Sequence, residues 1–473
     1  MGKNRVVVIG AGVAGAAAAI AAAKAGSEVV LLDKDLRFGG TARRAGGGFC
    51  VAGTASQRQR GIVDSPELAL SDLLKGQDDL VHKRWARFYF RAAERHVHDA
   101  LVGLGVEIAE VLQFERDSTA RWHYPGGGGA SLADRLGKAV QSDGRIECRL
   151  GFSLVGLRRA EGTGAHLTFR SSQGDEHGMK AGAVVIATGG FGQNWGLLRS
   201  AAKSPRNFLS AGGEQASGDL LPMLSAAGAT LDGLDRVYFY PFITADFRNP
   251  SRGVAIRGLD KGIWLNASLE RFLDETTITF GQSAAEVLMR QEHGYCWAIV
   301  DAEMTRQVAI TDHYREAGTQ RDAVLQQFVD NSPDVVQADT LADLAARMGV
   351  CADALLSVVD GWNRLAGTDM VDPATGRRFS TANPLQSGPF MAVRLQAGAR
   401  KTLGGVVTDL KCRVLDDRQS PIPGLYAAGE VCGFAGGSIT GRKPLEGMMV
   451  GVSFFAGVIA GRQAARQLQR NPG

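Results

Sequence analysis

The chain has 473 residues and carries 53 Lys and Arg against 49 Asp and Glu, so its formal net charge is only +4. No run of Lys or Arg marks a nucleic-acid footprint, and the length is enough for a large core divided between two domains. The six Cys include no pair two residues apart, which argues against a structural zinc site or a dithiol motif. They indicate reduced thiols in a cytoplasmic protein, and no cluster of acidic residues and His indicates a metal site.

The N-terminal residues have the pattern of a strand, a tight turn, a helix and a second strand. The apolar run from Arg5 to Ile9 predicts a buried strand, and the alanine-rich stretch from Ala16 to Ala25 predicts a helix. A second apolar run, from Glu28 to Leu32, ends in Asp33. This order of elements is typical of a dinucleotide-binding unit, whereas a glycine-rich turn alone also occurs in α/β proteins that bind no dinucleotide.

The turn itself has the spacing Gly10, Gly12 and Gly15, with Val13 and Ala14 opening the helix. In such a fingerprint the first glycine makes the turn, the second lets a pyrophosphate approach the backbone, and the third brings the helix close to the strand. The free amides of the helix N-terminus attract the phosphate charge. Asp33 follows at the distance where an acidic side chain accepts hydrogen bonds from ribose hydroxyls. We therefore predict a bound dinucleotide.

Three later segments favour a flavin dinucleotide over a nicotinamide one. Residues 34–48 form a second glycine-rich segment that is too long for a plain nicotinamide-binding unit, and its glycines would leave bare backbone amides beside a ligand. The strand-like run from Ala183 ends in the small residues 187–190, and residues 424–430 repeat this plan. Glu430 at the end of that run could accept hydrogen bonds from a polyol. A flexible surface loop is the alternative for residues 34–48.

These motifs occur in the order found in a known superfamily. The chain resembles the FAD-dependent oxidoreductases of the fumarate reductase and succinate dehydrogenase flavoprotein superfamily. Residues 57–70 and 442–447 are most similar to the FAD-binding dehydrogenases related to ketosteroid dehydrogenases. Together with the fingerprint, the resemblance implies cofactor contacts at Gly10, Gly12, Val13, Ala14, Gly15, Asp33, Lys34, Gly39, Gly40, Thr41, Ala42, Ala45, Gly46, Gly47, Ala187, Thr188, Gly189, Gly218, Asp219, Gly429, Glu430, Pro444, Leu445 and Gly447.

The resemblance also implies the architecture. We expect an α/β protein in which a Rossmann-like FAD-binding domain, made of a parallel sheet and an antiparallel meander, is interrupted by an α+β capping domain. The FAD-binding domain would take residues 1–232 and 381–473, the capping domain residues 233–380, and the meander residues 146–169. Residues 448–460 form an apolar stretch too short to span a bilayer, so we expect a buried helix there and no transmembrane segment.

The substrate side departs from the fumarate reductase pattern. Tyr240 stands at the position of a histidine, Thr279 near that of the proton-donating arginine, and Arg400 and Lys401 where the family has paired histidines. Only Arg442 matches a substrate arginine of the family. The resemblance thus implies that the chain does not reduce fumarate by the family's route.

The candidate catalytic residues are aromatic or basic. The phenols of Tyr240, Tyr238 and Tyr124 could transfer a proton if a neighbouring cation favours their ionised form. Arg400, Lys401 and Arg442 could supply that cation, or stabilise a reduced flavin. The alternative is that Tyr238 and Tyr240 are core aromatics of a strand over residues 237–242, with only one of them facing the site.

These features predict an FAD oxidoreductase that transfers hydride between flavin N5 and a carbon–carbon bond adjacent to a carbonyl, by desaturation or ene-reduction of a ketosteroid-like substrate. One alternative is an unsaturated carboxylic acid bound by the same cations, and another is a flavin-binding protein without turnover. Gly40 stands where succinate dehydrogenases carry the histidine that tethers FAD, so the flavin would be non-covalent. A single fingerprint argues against a second, nicotinamide-binding unit. The partners would be a small-molecule substrate and an unnamed electron acceptor or donor.

Overall fold

The computed structural model describes residues 5–75, 81–114, 116–202, 208–276, 282–310, 321–441 and 444–470. The chain forms two compact units. The first unit comprises Met1–Ala201, Gly212–Val237 and Lys401–Gly473, and the second comprises Ala202–Ala211 and Tyr238–Arg400. The second unit therefore extends beyond the predicted range 233–380 to Arg400, because the long strand that begins at Phe390 belongs to its sheet. That the first unit binds FAD and the second is a capping domain stays a prediction.

The described residues contain helices in both units. In chain order they are α1 Val13–Lys24, α2 Ala55–Gln59, α3 Pro66–Leu74, α4 Lys83–Ala93, α5 Asp99–Gly103, α6 Gly128–Gln141, α7 Trp195–Ala202, α8 Leu221–Ala226, α9 Gln282–Arg290, α10 Ala302–Thr305, α11 Arg321–Asn331, α12 Leu341–Met348, α13 Ala352–Leu365 and α14 Met448–Arg470. A π-helical turn, Glu94–His98, joins α4 to α5.

The strands in chain order are β1 Arg5–Ile9, β2 Glu28–Asp33, β3 Phe49–Cys50, β4 Ile108–Leu112, β5 Trp122–Pro125, β6 Ile146–Leu150, β7 Phe152–Arg159, β8 Ala165–Ser171, β9 Glu176–Ala181, β10 Ala183–Ile186, β11 Leu209–Ser210, β12 Leu231–Asp232, β13 Val237–Asp246, β14 Asn249–Arg257, β15 Ile263–Asn266, β16 Tyr295–Val300, β17 Ala309–Ile310, β18 Val335–Ala338, β19 Phe390–Thr402, β20 Gly405–Val406, β21 Arg413–Leu415 and β22 Pro421–Ala427.

The first unit is built on a six-stranded sheet with the order β21-β22-β10-β1-β2-β6. All of its pairings are parallel except β21 with β22. Strands covered on both faces are expected to be continuously apolar, and β1, β2 and β10 are Val- and Leu-rich runs with almost no exposed residue. The predicted α/β fold with a Rossmann-like parallel sheet is confirmed.

The predicted meander is present but starts later than expected. The antiparallel strands β7, β8 and β9 form a three-stranded sheet over residues 152–181. The prediction of residues 146–169 was wrong at both ends, since β6 pairs in parallel with β2 at the edge of the main sheet. The long-range pairing of β6 with β2, such as Ile146 with Val29, is what assigns β6 to the main sheet.

The last helix, α14, is longer than the sequence indicated. Its 23 residues make it long and apolar enough to cross a membrane by length and composition, which corrects the prediction of a short stretch. In this structure 72% of its most apolar window is buried. A Cβ atom at Gly457 would lie 2.2 Å from the carbonyl oxygen of Ala14, and one at Gly461 would lie 2.1 Å from that of Ala18. The backbones of α14 and α1 therefore touch, which explains the apolar composition.

The second unit contains an eight-stranded sheet with the order β11-β14-β13-β19-β16-β15, to which β17 and β18 pair at the side. Its long strand β19 pairs with β16 and β18 in antiparallel register. The helices α12 and α13 follow one another closely, and the side chain of Thr340 caps the start of α12 by accepting from the amide of Asp343.

Residues 57–70, which carry part of the family resemblance, supply one of the carboxylates that bind a buried guanidinium. Thr54 caps α2 through a capping box with Gln57, and the Gln57 side chain donates to Asp64 at 2.9 Å. Asp64 and Asp72 accept hydrogen bonds from the fully buried Arg121 at 3.0 and 2.8 Å. Because an unpaired buried charge is strongly destabilising, this motif serves to hold Arg121.

A third carboxylate in this cluster is poorly satisfied. Asp117 Oδ1 lies 3.7 Å from Arg121 Nη1 and is buried without a hydrogen bond among the described residues. The cluster therefore contains three carboxylates but only two cations, Arg121 and Lys75. Burial raises the pKa of Asp117 from 3.8 to about 6, although the charge of Arg121 opposes this. One negative charge is therefore in excess above that pKa.

The Asp117→Asn substitution should stabilise the protein at neutral pH. In the parent, protonated Asp117 favours the folded state, and this contribution is lost as pH rises from 3.8, the ordinary value, through about 6. At about 1.4 kcal/mol per pKa unit, the variant should gain at most about 3 kcal/mol at pH 7 and lose that pH dependence. Urea unfolding of parent and variant across this pH range measures the difference.

Asp72→Asn is the matched control. Burial acts to raise the pKa of Asp72, but hydrogen bonds from Lys75 and Ser118 and the charge of Arg121 outweigh it and lower the pKa to about 2. This substitution should therefore destabilise the protein at pH 7. Equal effects of the two substitutions would contradict the assignment of the excess charge to Asp117.

Candidate functional site

The three fingerprint glycines have three different surroundings. Gly10 has a φ of +107°, and a Cβ there would lie 2.3 Å from the carbonyl oxygen of Ala187. A Cβ at Gly15 would lie 1.7 Å from the carbonyl oxygen of Gly10. A Cβ at Gly12, in contrast, would meet no atom of the described residues within 4 Å. Gly10 and Gly15 are thus required by the fold, whereas the space above Gly12 is open, as a pyrophosphate requires.

The second glycine segment lies directly beside the first. Gly39 N donates to the carbonyl oxygen of Ala11 at 2.9 Å, and Gly39 forms a bridge with Gly12. A short 3-10 helix, Gly40–Arg44, follows, and a Cβ at Gly40 would lie 3.5 Å from the Cα of Gly12. The structure therefore brings the predicted residues Gly39 and Gly40 to the N-terminus of α1.

Asp33 lies at the end of β2, next to the same turn. Its carboxylate accepts hydrogen bonds from the amides of Ala11, at 2.5 Å, and Asp35, at 2.8 Å. Burial raises its pKa, although these two hydrogen bonds act in the opposite direction. A carboxylate has about four acceptor sites, so Asp33 keeps capacity for ribose hydroxyls.

Lys34 joins two predicted contact segments that are far apart in sequence. Its Nζ donates to Ser217 Oγ at 2.7 Å and to Asp219 Oδ2 at 3.1 Å. Asp219 belongs to the predicted pair Gly218 and Asp219, so that pair lies beside the end of β2. Ser217 was not predicted, and its position next to Gly218 was the only available signal.

The carboxylate of Glu430 lies beside Gly190, in the turn that follows β10. Its Oε1 accepts from the amide of Thr402 at 2.9 Å and from the Thr402 hydroxyl at 2.8 Å. A Cβ at Gly190 would lie 2.0 Å from Thr402 Oγ1 and 2.5 Å from Glu430 Oε1. Burial raises the pKa of Glu430, while Thr402 and the charge of Lys401 lower it. Thr402 was missed in the sequence, where only its place after Arg400 and Lys401 could have pointed to it.

The ring of Trp122 packs closely against two glycines, Gly48 at the end of the second glycine segment and Gly447. A Cβ at Gly48 would lie 2.0 Å from its ring, and one at Gly447 would lie 2.5 Å from its Cδ1. The ring stacks on Tyr124 with a centroid distance of 5.4 Å. A Cβ at Gly128 would lie 3.4 Å from the carbonyl oxygen of Gly46 and 3.5 Å from Tyr124 Oη. Tyr124 therefore lies close to the predicted cofactor segment.

His123, the neighbour of Tyr124, has both ring nitrogens occupied by structural partners. His123 is fully buried, with Nε2 at 2.7 Å from Thr54 Oγ1 and Nδ1 at 2.9 Å from the carbonyl oxygen of Arg121. Burial lowers its pKa to about 4. The imidazole thus stays neutral near pH 7 and holds β5 against α2.

In the second unit, Tyr238 and Tyr240 form an aromatic row on β13. Both are buried, and their ring centroids are 5.0 Å apart. Phe242 continues the row at 4.9 Å from Tyr240. Residues two apart on a strand share one face, so the two tyrosines lie on the same face of β13. Their burial fits the alternative of core aromatics, and which of them faces a substrate stays a prediction. The guanidinium carbon of Arg400 lies 5.9 Å from the centroid of the Tyr240 ring, so the predicted cation and phenol are neighbours.

Three further residues were named on the substrate side: Lys401, Arg442 and Thr279. Lys401 belongs to the first unit, where it acts on Glu430 as described above. Arg442 and Thr279 lie outside the described residues, so their predicted roles stay predictions. Within the described ranges, no group of three or more His, Cys, Asp and Glu could hold a metal ion.

Gly12→Val and Gly15→Val should separate cofactor binding from folding. Gly12 has an extended backbone that accepts a side chain, and the added carbons would occupy only the open space. We expect the Gly12 variant to keep the parent's melting temperature without flavin but to bind none. The Gly15 variant should misfold or melt at a lower temperature, because its Cβ collides with Gly10.

Flavin absorbance of the purified proteins and thermal unfolding of the flavin-free forms measure both effects. A Gly12 variant that retains flavin would contradict the placement of the pyrophosphate.

The chain matches known proteins over most of its length. The family described as "FAD binding domain" matches residues 5–450. A fumarate reductase (cytochrome) of Shewanella frigidimarina is 29% identical over 479 residues, which cover 98% of this chain and 78% of the relative. A KsdD-like steroid dehydrogenase of Mycobacterium tuberculosis is 28% identical over 546 residues, covering 98% of this chain and 96% of the relative. The open conformation of a flavocytochrome c3 fumarate reductase superposes with a TM-score of 0.83 at 27% identity, over 98% of this chain and 78% of that one. The chain belongs to this FAD-binding family.

Proposed function

We propose that this chain is an FAD-dependent oxidoreductase acting on CH–CH bonds, with transfer of hydride between flavin N5 and a carbon–carbon bond adjacent to a carbonyl. The observation that carries the proposal is the open space above Gly12, surrounded by the second glycine segment and Asp33. Family membership supports the cofactor. The relatives that cover 98% of the chain are named as reductases and dehydrogenases, which supports the reaction class.

The residues that would hold FAD come from the first unit. The N-terminus of α1 would bind the pyrophosphate, Asp33 the adenosine ribose, and Glu430 a polyol through the oxygen that Thr402 does not use. When bound, the flavin supplies a two-electron acceptor or donor for hydride. The flavin would be non-covalent, because Gly40 offers no side chain for attachment. Six free cysteines in the structure support the proposal of a reducing, cytoplasmic location.

The residues that would move the proton come from the aromatic row and its cation. In the desaturation direction a base removes the proton α to the substrate carbonyl, and Tyr240 is our first candidate. The guanidinium carbon of Arg400 lies 5.9 Å from the centroid of the Tyr240 ring, so a positive charge neighbours the proposed base. Tyr124 is the second candidate, since it lies beside the predicted cofactor segment.

We propose a cyclic or polycyclic ketone of the ketosteroid type as the substrate class. The steroid dehydrogenase relative supports it, as does the loss of the dicarboxylate-binding pattern at Tyr240, Arg400 and Lys401. The alternative substrate is an unsaturated carboxylic acid, with the same cations on its carboxylate. The fumarate reductase relative, at 29% identity, supports this alternative about equally well.

An anaerobic flavin-bleaching screen tests the function. Ketosteroids should bleach the oxidised flavin band of the yellow protein, whereas succinate should not. Chemically reduced protein mixed with fumarate measures the opposite direction, in which we expect negligible reoxidation. Efficient fumarate reduction would move the function to the alternative, and spectral shifts without bleaching by any substrate would identify a flavin-binding protein without turnover. Acid precipitation should release all flavin as FAD into the supernatant.

Tyr240→Phe should slow flavin reduction by substrate while the flavin content stays normal. The ring and its packing persist, but the titrating hydroxyl is lost, so the rate should fall by at least about 10²-fold, the usual size of a general base contribution. Tyr238→Phe is the matched control on the same face of the strand, and it should keep most of the rate. Stopped-flow bleaching measures both. If Tyr240→Phe matches the parent, Tyr124→Phe and then Lys401→Gln become the next variants to measure.

A further inference from the structure

The surface of the first unit carries a concentrated set of arginines. Arg84, Arg87 and Arg91 follow one another at helical spacing on one side of α4, and Arg95 extends the row through the π-helical turn. All four are exposed. The C-terminal half of α14 adds the half-buried Arg462 and the exposed Arg466. We call these six residues the basic face.

Few acidic residues neutralise the basic face. Arg91 lies 3.6 Å from Glu67. Within the described ranges, Arg84, Arg87, Arg95 and Arg466 form no ion pair. The six arginines carry a formal charge of +6, which exceeds the formal net charge of +4 of the whole chain.

The two rows of arginine meet at the π-helical turn. The Nη1 of Arg462 lies 3.2 Å from Nδ1 of His96. Burial and the charges of Arg95 and Arg466 lower the pKa of Arg462, so the cations repel one another. An anionic partner would relieve this repulsion, and guanidinium groups match carboxylates in a bidentate geometry.

The basic face begins beside a cofactor segment. The amide of His82, at the start of α4, donates to the carbonyl oxygen of Ser438 at 3.0 Å. A Cβ at Gly436 would lie 2.3 Å from the ring of Trp85. Residues 433–441 lie between the predicted flavin contacts Glu430 and Pro444 in the sequence, so α4 packs on the segment that connects these two contacts.

The shape of this face favours a protein partner over a lipid surface. The apolar side of α4, with Trp85, Tyr89 and Phe90, is buried in the core. None of the large hydrophobic side chains exposed in the described ranges belongs to α4 or α14, so nothing is available to insert into lipid. Arg87 and Arg91 also border a hollow of about 320 Å³ that includes Leu70 and Leu74. Such a hollow accepts a protruding side chain, which a flat bilayer does not present.

We propose that the basic face docks an acidic electron-carrier protein. This proposal rests on the proposed function, because a flavin enzyme with one dinucleotide fingerprint must exchange electrons with an external partner. In the reductive direction, two one-electron carriers are oxidised, and the bound FAD gains two electrons and a proton from water. Electrostatic steering of this kind raises association rates and falls steeply with ionic strength.

The test uses the holoprotein and an acidic [2Fe–2S] ferredoxin. Arg84→Glu/Arg87→Glu reverses two charges on the basic face, and Arg347→Glu/Arg364→Glu makes the same change at exposed positions of α12 and α13. At about 20 mM salt, where screening is weak, we expect the first variant to bind ferredoxin at least about tenfold more weakly by calorimetry, with a similar loss in the rate of flavin reduction by reduced ferredoxin. The control variant should behave as the parent. High salt should remove the difference.

Other measurements separate the possible failures. Basic cytochrome c should not bind, and photochemical flavin reduction should be equal in all variants. Equal ferredoxin binding by both variants, or ferredoxin binding no tighter than that of cytochrome c, would overturn the proposal. So would sedimentation with phosphatidylserine vesicles that depends on Arg84 and Arg87 while ferredoxin binding does not. If no substrate bleaches the flavin but ferredoxin binding still depends on these arginines, the proposed function fails and the docking surface stands.

Discussion

The close approach of other backbones to α1 is the constraint on which the cofactor side of the structure depends. Gly15 brings the start of the helix against the carbonyl of Gly10, and Gly457 and Gly461 bring α14 against the helix from another direction. Every residue of α1 except Lys24 is buried. A helix held in this way cannot shift, so its free N-terminal amides have a fixed position. Anion binding at a helix N-terminus needs this preorganisation, because amides that had to be ordered on binding would lose affinity.

Local patterns in the sequence predicted the fingerprint turn and the helix α1 well. A fingerprint combines a turn, a helix start and a strand end within a short stretch, so its meaning does not depend on distant pairing. Long-range geometry escaped prediction for the opposite reason. The hydrogen bonds of Thr402 to Glu430 join segments 28 residues apart, and only the course of β19 and β22 brings them together. Sheet pairing also determines that the second unit ends at Arg400 and that β6 belongs to the main sheet, and neither pairing is visible in a local pattern.

Burial and ion pairing give the arginines of the first unit two different roles. Arg121 is fully buried and ordered by Asp64 and Asp72, so it is a structural element of the first unit. Five of the six arginines of the basic face are exposed, and the face has few acidic partners. Sequence reasoning saw neither group, because the net charge of +4 averages over both. Burial and ion-pair geometry were needed to separate charges that hold the fold from charges that are available to a partner.

Arg400 and Lys401 show the same effect at the candidate site. Read from the sequence, they form one cationic pair in place of two histidines, with a shared role toward the substrate. On a strand, however, consecutive side chains point to opposite faces. Arg400 lies over the ring of Tyr240 in the second unit, whereas Lys401 acts on the carboxylate of Glu430 in the first. The two cations therefore have different neighbours: Arg400 lies beside the phenol ring of Tyr240, whereas burial raises the pKa of Glu430 and the charge of Lys401 acts to lower it.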